Sequence, residues 1–319
     1  MTHPYAALTP DVVLDACAAL GLRPDGRLLS LASYENRVYQ VWMEEGAPLV
    51  AKFYRPGRWS AEQIAEEYEF AFDLQNHEIP VVAPIHTGKH AGFNVAIYPR
   101  RGGRTPELED PKTLEWIGRF IGRIHARGAT KKFEFRDSLT LRSFGTEPRE
   151  WLLAHDFVPA GLLEAWKAAS AQALSSIEQC YGRAGHARSI RLHGDCHAGN
   201  ILWTEEGPHF VDLDDARMGP AIQDLWMLLS VERAAMTREL SDVLAGYEQF
   251  MEFDRRELHL LEALRTLRLI HYSGWIARRW DDPAFPAAFP WFNTQRYWQD
   301  RILELREQIA LMDEAPLAA

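Results

Sequence analysis

The chain has 319 residues, 47% hydrophobic and 25% charged, an ordinary globular composition at a length that suits two domains or lobes. Its 35 basic and 45 acidic residues give a net charge of −10, and the densest basic cluster, Arg100 to Arg104, is too short to form the basic stripe of a nucleic-acid-binding surface. No apolar run reaches the roughly 18 residues of a membrane span, the first residues lack the basic region and apolar core of a signal peptide, and Cys17, Cys180 and Cys196 form no disulfide framework. A cytoplasmic protein with neither a nucleic-acid nor a membrane partner is expected.

In chain order, Thr9 followed by Pro10 predicts the N-cap and first position of a helix that Gly21 can close. Residues 28–55 are rich in Val, Tyr, Leu and Phe, and the break at Glu44-Glu45-Gly46-Ala47 predicts two or three antiparallel strands. Ser60 with Gln63 three positions later forms a capping box that opens a helix. Ile64, Ala71 and Leu74 share one face of that helix, and Glu67 falls among them. Glu66 instead neighbours Glu62, Glu69 and Asp73, on the face expected to meet water. An acid pointing inward needs a cation. Residues 79–88 and 93–100 read as further strands of the same sheet. Pro, Gly and charge at 99–106 mark a boundary, giving lobes at 1–98 and 99–319. Beyond it, Asp110-Pro111 starts a helix that Gly128 ends. A long helix is expected near 160–180, then short strands and turns over 191–220. From Pro220 onward the chain reads as helical, interrupted by a loop at 281–293.

The chemistry concentrates in RLHGDCHAGNILW (191–203) and HFVDLDDARMGP (209–220). Asp195 and Asn200 are five positions apart, the offset of the H-R-D-x-x-x-x-N loop of protein kinases. There the acid reaches the hydroxyl being phosphorylated, and the amide turns back to a magnesium ion on the nucleotide. Asp212 ends an apolar run 17 residues beyond Asp195. In kinases an acid on the following strand holds magnesium against the phosphates, and carboxylate and amide oxygens suit that ion. Blander readings compete. His193, Cys196 and His197 are zinc-type ligands, but no fourth ligand stands at zinc-like spacing. His193 then reads as a structural residue near the loop backbone, and Cys196 as a small side chain, with redox control a secondary reading. Asp212-Leu213-Asp214 would also fit a phosphatase loop, which leaves Asn200 and Lys52 unexplained. Asp224 reads as a structural tie or cap.

HGDxxxxN together with VDLDDA resembles the aminoglycoside phosphotransferase and choline kinase branch of the protein-kinase-like fold. That branch carries glycine, here Gly194, where typical protein kinases have arginine, and Asp212-Leu213-Asp214 stands in place of Asp-Phe-Gly. SYENRVYQV, KFYRPGRW, LHGDCHAGNILW, FVDLDDAR, QDLWMLL and DPAFPAAFPW occur in order between about residue 28 and residue 293. Together they are similar to a family of bacterial stress-response protein kinases within that branch. The resemblance implies an α+β, two-lobed protein-kinase-like fold, with an antiparallel sheet plus helix in the N-terminal nucleotide-binding lobe and a mainly helical C-terminal lobe. It implies ATP- and magnesium-dependent phosphorylation of serine or threonine in proteins, the kinase itself included.

The resemblance also implies roles for single residues. Asp195 is the catalytic base, Asn200 and Asp212 hold magnesium, and Asp212 serves the chemistry as well. Lys52, in LVAKFY, matches the lysine that holds the α- and β-phosphates, and the inward Glu67 is its partner. Counting from Val38, Ser33 and Asn36 stand where the last two glycines of the phosphate loop fall. Asn tolerates the left-handed backbone of a tight turn, and the Ser33 hydroxyl can bond a phosphate oxygen. Two other functions share these motifs, because a fold does not fix its acceptor. One is a small-molecule hydroxyl kinase. The other is a nucleotide-binding pseudokinase, against which the complete set Lys52, Asp195, Asn200 and Asp212 argues.

Overall fold

A computed structural model describes residues 3–318. The chain forms two compact units: 1–106, 199–214 and 282–284 make the first, and 107–198, 215–281 and 285–319 the second. The units are therefore not two contiguous stretches. The segment carrying Asn200 and Asp212 folds with the N-terminal sheet, where Val81 bridges Phe210 and Arg104 bridges Trp203.

In the first unit, α1 (Pro10–Ala19) starts where its cap predicts, with the Thr9 hydroxyl accepting from the Val12 N–H. There follow β1 (Pro24–Leu31), β2 (Arg37–Met43), β3 (Leu49–Phe53), α2 (Ala61–Asn76), β4 (His86–His90) and β5 (Phe93–Pro99). The strands form an antiparallel sheet in the order β1-β2-β3-β5-β4. Both halves of the Ser60–Gln63 capping box are present. Only the end of the strand expected at 79–88 forms, because Pro80 and Pro84 have no N–H to give a ladder.

Side chains alternate across a strand, and this decides what β3 can do. Ala51 and Phe53 enter a core with Val13, Ala16 and Cys17 of α1. Tyr54 joins Ile64 of α2 in a separate apolar cluster with Ala96. Lys52, between the two, pairs in register with Val38 on one side and the buried Ala96 on the other. Glu67 is buried on the inner face of α2 with Ile64, Ala71 and Leu74, as the helical spacing predicts, and Glu66 is half-buried.

The second unit begins with α3 (Pro111–Gly128), capped by Asp110, and continues through α4 (Glu147–Ala154), α5 (Leu163–Ala184) and β6 (Ile190–Leu192). The hairpin of β7 (Ile201–Thr204) and β8 (Gly207–Phe210) belongs to the first unit. β9 (Arg217–Gly219) returns to pair with β6. Then come α6 (Ile222–Trp226), α7 (Arg233–Tyr247), α8 (Leu261–Ala277), α9 (Ala284–Ala288) and α10 (Gln295–Asp313). The short α9 lies inside the stretch expected as a loop. Trp166 of α5 and Trp298 of α10 meet edge to face at 5.7 Å in the core that Ile270 of α8 completes.

α3 and α7 approach closely because glycines stand at the crossing. A Cβ on Gly118 would lie 2.0 Å from the Val243 carbonyl oxygen, and one on Gly246 would lie 1.9 Å from that of Glu115. The approach sets His125 of α3 against Tyr247 of α7, with Nδ1 3.0 Å from the phenol oxygen. Gly118→Ala must force the helices apart, and is expected to destabilise the protein by about 1–3 kcal/mol, read as a lower denaturant midpoint. An unchanged midpoint would show that the crossing can widen at no cost.

Candidate active site

Lys52 is buried in mid-strand, so its ammonium requires counter-charges. Three carboxylates supply them: Asp212 Oδ1 at 3.0 Å, Asp214 Oδ1 at 3.1 Å and Glu67 Oε1 at 3.4 Å. Burial works against the charge, but Asp212, Asp214 and Glu67 outweigh it and hold the ammonium well above the usual lysine range. Glu67 is fixed in turn by the Tyr54 hydroxyl, which donates to Oε1 at 2.9 Å. Asp214 also pairs with Arg58, which reaches Glu35 at 3.8 Å. Buried ion clusters contribute little to stability relative to apolar packing, and more acids than one lysine needs point to a functional role.

Asp212 differs from its neighbours in exposure. Its side chain is 53% accessible, against 3% for Glu67 and 4% for Asp214. Its backbone is left-handed (φ +61°), an unfavourable conformation for a residue with a Cβ and one that clusters at functional sites. The Val211 N–H donates to the Asn200 carbonyl at 3.0 Å, tying residue 200 to the strand end that carries Asp212. Magnesium takes oxygen ligands, keeps several waters and uses one or two protein carboxylates. An accessible carboxylate at Asp212 with an amide at Asn200 fits that requirement. Among the described residues, no three His, Cys, Asp or Glu form a group able to hold a metal.

The turn holding Ser33 is built differently from the expectation. Asn36 is not left-handed; its side-chain Oδ1 accepts the Arg55 N–H at 3.1 Å. Ser33 Oγ donates to the Asn36 carbonyl at 3.2 Å. Arg55 is anchored by Asp282 at 2.9 Å and by Glu35 at 3.7 Å. Side-chain bonds to the end of β3, rather than flexible glycines, shape this turn.

Asp195 belongs to the second unit, on the loop that leaves β6. Gly194 has φ +86°, and a Cβ there would lie 2.1 Å from the Asp215 carbonyl oxygen, so arginine cannot occupy this position. The loop hangs on Asp224, which is fully buried and accepts from the backbone N–H groups of His193 (2.7 Å) and Gly194 (2.8 Å). His125 Nε2 lies 3.0 Å from the same carboxylate. His193 is structural as expected, receiving the Asp195 N–H on Nδ1 at 3.4 Å. Asp195 Oδ1 accepts from Arg268 at 2.7 Å, and Oδ2 lies 3.5 Å from His197 Nε2. Burial pushes the Asp195 carboxyl up, but the His197 bond and the Arg268 charge outweigh it and hold it below the usual range. Burial raises the Cys196 thiol well above its ordinary value, which leaves it an inert neutral group.

The structure thus gathers Lys52, Glu67 and Asp212 at one point in the first unit, with Asn200 tied to the strand end beside Asp212. Asp214, Arg58, Arg268 and His125 join these sites without having been singled out in the sequence. Asp214 stands two positions from Asp212 in the same short motif, whereas the arginines and His125 carry no local signal.

A lysine paired with a helix glutamate, a strand-end aspartate and an Asp-x-x-x-x-Asn loop are each features that occur in kinases. The model of the phosphotransferase enzyme family matches residues 27–261, and the chain belongs to this family and is a kinase. It is 44% identical to the stress response kinase A of Salmonella choleraesuis (strain SC-B67), over 98% of this chain and 96% of that protein. It is 43% identical to the stress response kinase A of Escherichia coli (strain K12), with the same coverage. A Salmonella typhimurium relative, 44% identical over 98% of this chain and 96% of its own length, is named serine/threonine protein kinase RdoA. Among solved structures, the fold is shared with amicoumacin kinase in complex with AMP-PNP, Ca2+ and Ami (TM-score 0.71, 19% identity, 96% of this chain and 94% of that one). It is also shared with a choline kinase from Streptococcus pneumoniae (TM-score 0.65, 15% identity, 94% and 98%).

Asp224→Ala removes the acceptor for two backbone N–H groups and for His125. Leaving such buried donors unpaired is expected to cost about 2–4 kcal/mol of stability. Phosphoryl transfer should fall by roughly a hundredfold as the loop loses its aim. Unfolding curves and single-turnover transfer check both effects, and a stable, fully active variant would remove Asp224 from this role.

Proposed function

We propose that the chain transfers the γ-phosphoryl group of ATP, with magnesium, to serine or threonine hydroxyls of proteins, itself included, in the cytoplasm during a bacterial stress response. The observation that carries this reading is the buried Lys52 ammonium set against Glu67 and the accessible Asp212. It is supported by the full-length likeness to relatives named as stress response and serine/threonine protein kinases. No helix among the described residues is long and apolar enough to cross a membrane, and all three cysteines are free.

In this reading Lys52 binds the phosphates and Glu67 keeps its ammonium in place. The Ser33 hydroxyl reaches a phosphate oxygen on exchanging its bond to Asn36. Asn200 and Asp212 hold the metal, which when bound neutralises charge that develops on the phosphates. Asp195, ionised at neutral pH, orients the acceptor hydroxyl and takes its proton, an effect typically worth about 10² to 10⁴ in rate. A small hydroxyl compound is the second acceptor to consider, because solved neighbours of the same fold are named for amicoumacin and choline.

Labelled ATP with magnesium separates the acceptors: label on serine or threonine of protein is expected, and turnover of a small alcohol without protein labelling would overturn the protein-kinase reading. The two acids separate by role. Asp195→Asn should keep near-normal Mg-ATP affinity and lose transfer, whereas Asp212→Asn should lose transfer and weaken metal-dependent binding too. Abolished binding in Asp195→Asn with intact binding in Asp212→Asn would reverse the assignment.

A further inference from the structure

Asp195 has a charged partner that comes from outside its own loop. Arg268, on α8, donates from Nη1 to Asp195 Oδ1 at 2.7 Å. Asp195 is its one ion-pair partner among the described residues. The Arg268 side chain is 41% accessible and that of Asp195 24%, and pairs so open to solvent contribute little to folding. A long arginine held in one geometry without a folding benefit needs another reason. The loop already has its structural anchor in Asp224, which takes the His193 and Gly194 N–H groups, while the Asp195 carboxylate is held by side chains, with Arg268 on Oδ1 and His197 3.5 Å from Oδ2.

We infer that Arg268 is a positioning residue for phosphoryl transfer: it holds Oδ1 of Asp195 while His197 lies 3.5 Å from Oδ2, and so fixes the plane in which the carboxylate meets the acceptor hydroxyl. The inference rests on the proposed role of Asp195 as base. In the step it serves, the acceptor oxygen bonds to the γ-phosphorus as the bond from that phosphorus to the β–γ bridging oxygen breaks and ADP leaves. The hydroxyl proton passes to Asp195. The groups that act on the Asp195 charge are His197 in its own loop, Arg268 on α8 and Asp215 ahead of β9. His197 and Arg268 favour the carboxylate, Asp215 opposes it, and Cys196 beside it stays a neutral thiol. Asp215 is itself tied to Arg217 at 2.5 Å.

Removing Arg268 therefore raises the proton affinity of Asp195, so activity is lost first at acid pH and recovers as pH rises. The test measures kcat against pH, together with Mg-ATP affinity, for full-length Arg268→Gln, Arg268→Lys and Asp195→Asn. Arg268→Gln should lower kcat roughly tenfold to a hundredfold at neutral pH, move the acid limb of the profile upward and leave Mg-ATP affinity unchanged. Arg268→Lys should return the limb towards its original position and restore part of kcat, because it keeps the charge without the planar fork. An unmoved acid limb, or a loss confined to KM, would overturn the positioning role; should the glutamine variant fail to fold, a lysine variant with wild-type kcat and limb would overturn it equally. If Asp195→Asn transfers phosphate at the wild-type rate, the base reading itself fails. If Asp195→Asn is inactive and Arg268→Gln behaves as wild type, only the inference about Arg268 fails.

Discussion

A lysine ammonium buried in the middle of a strand is the constraint on which the first unit depends. Lys52 cannot stay charged there without acids around it, and the acids come from distant parts of the chain. Glu67 comes from α2, and Asp212 and Asp214 come from the segment that follows the β7–β8 hairpin. The sheet register, the inward face of α2 and the return of residues 199–214 to the N-terminal unit must all be satisfied for the cluster to close. The small Ala96 beside Lys52 and the Tyr54 hydroxyl on Glu67 complete the setting.

The second unit solves a related problem with a buried carboxylate. Asp224 is inaccessible to water, yet two backbone N–H groups and His125 satisfy it. His125 is held in turn by Tyr247 across the glycine-lined crossing of α3 and α7. The position of the loop that bears Asp195 is thereby set by core helices rather than by the loop's own sequence. A rigid scaffold beneath a short irregular loop allows one side chain, Asp195, to stay partly accessible while its neighbours His193 and Cys196 are sealed.

Much of this was legible in the residues, for reasons that can be named. Helical periodicity put Glu67 inside, caps fixed the starts of α1, α2 and α3, and the five-residue offset singled out Asp195 and Asn200. Each of these signals is local. Arg268 meets Asp195 across 73 positions, and His125 meets Asp224 across 99, so neither pairing leaves a mark in any short window. Asn36 was legible as a turn residue, but its amide is used to bond Arg55 rather than to permit a left-handed backbone. The return of the hairpin to the N-terminal unit was hidden as well, because it rests on bridges between Val81 and Phe210 and between Arg104 and Trp203 that composition does not announce.

The central claim is that the Lys52 cluster is a phosphate and metal site. Calorimetric titration of ATP into the wild-type protein and folded Lys52→Arg, each with magnesium and with a chelator, tests it most directly. The bulkier, planar guanidinium cannot sit at the point where a compact ammonium meets three carboxylates. Binding should appear in the wild type with magnesium, collapse with the chelator, and weaken by at least about tenfold in Lys52→Arg, the equivalent of 1.4 kcal/mol. Equal affinity across all four titrations would contradict the claim.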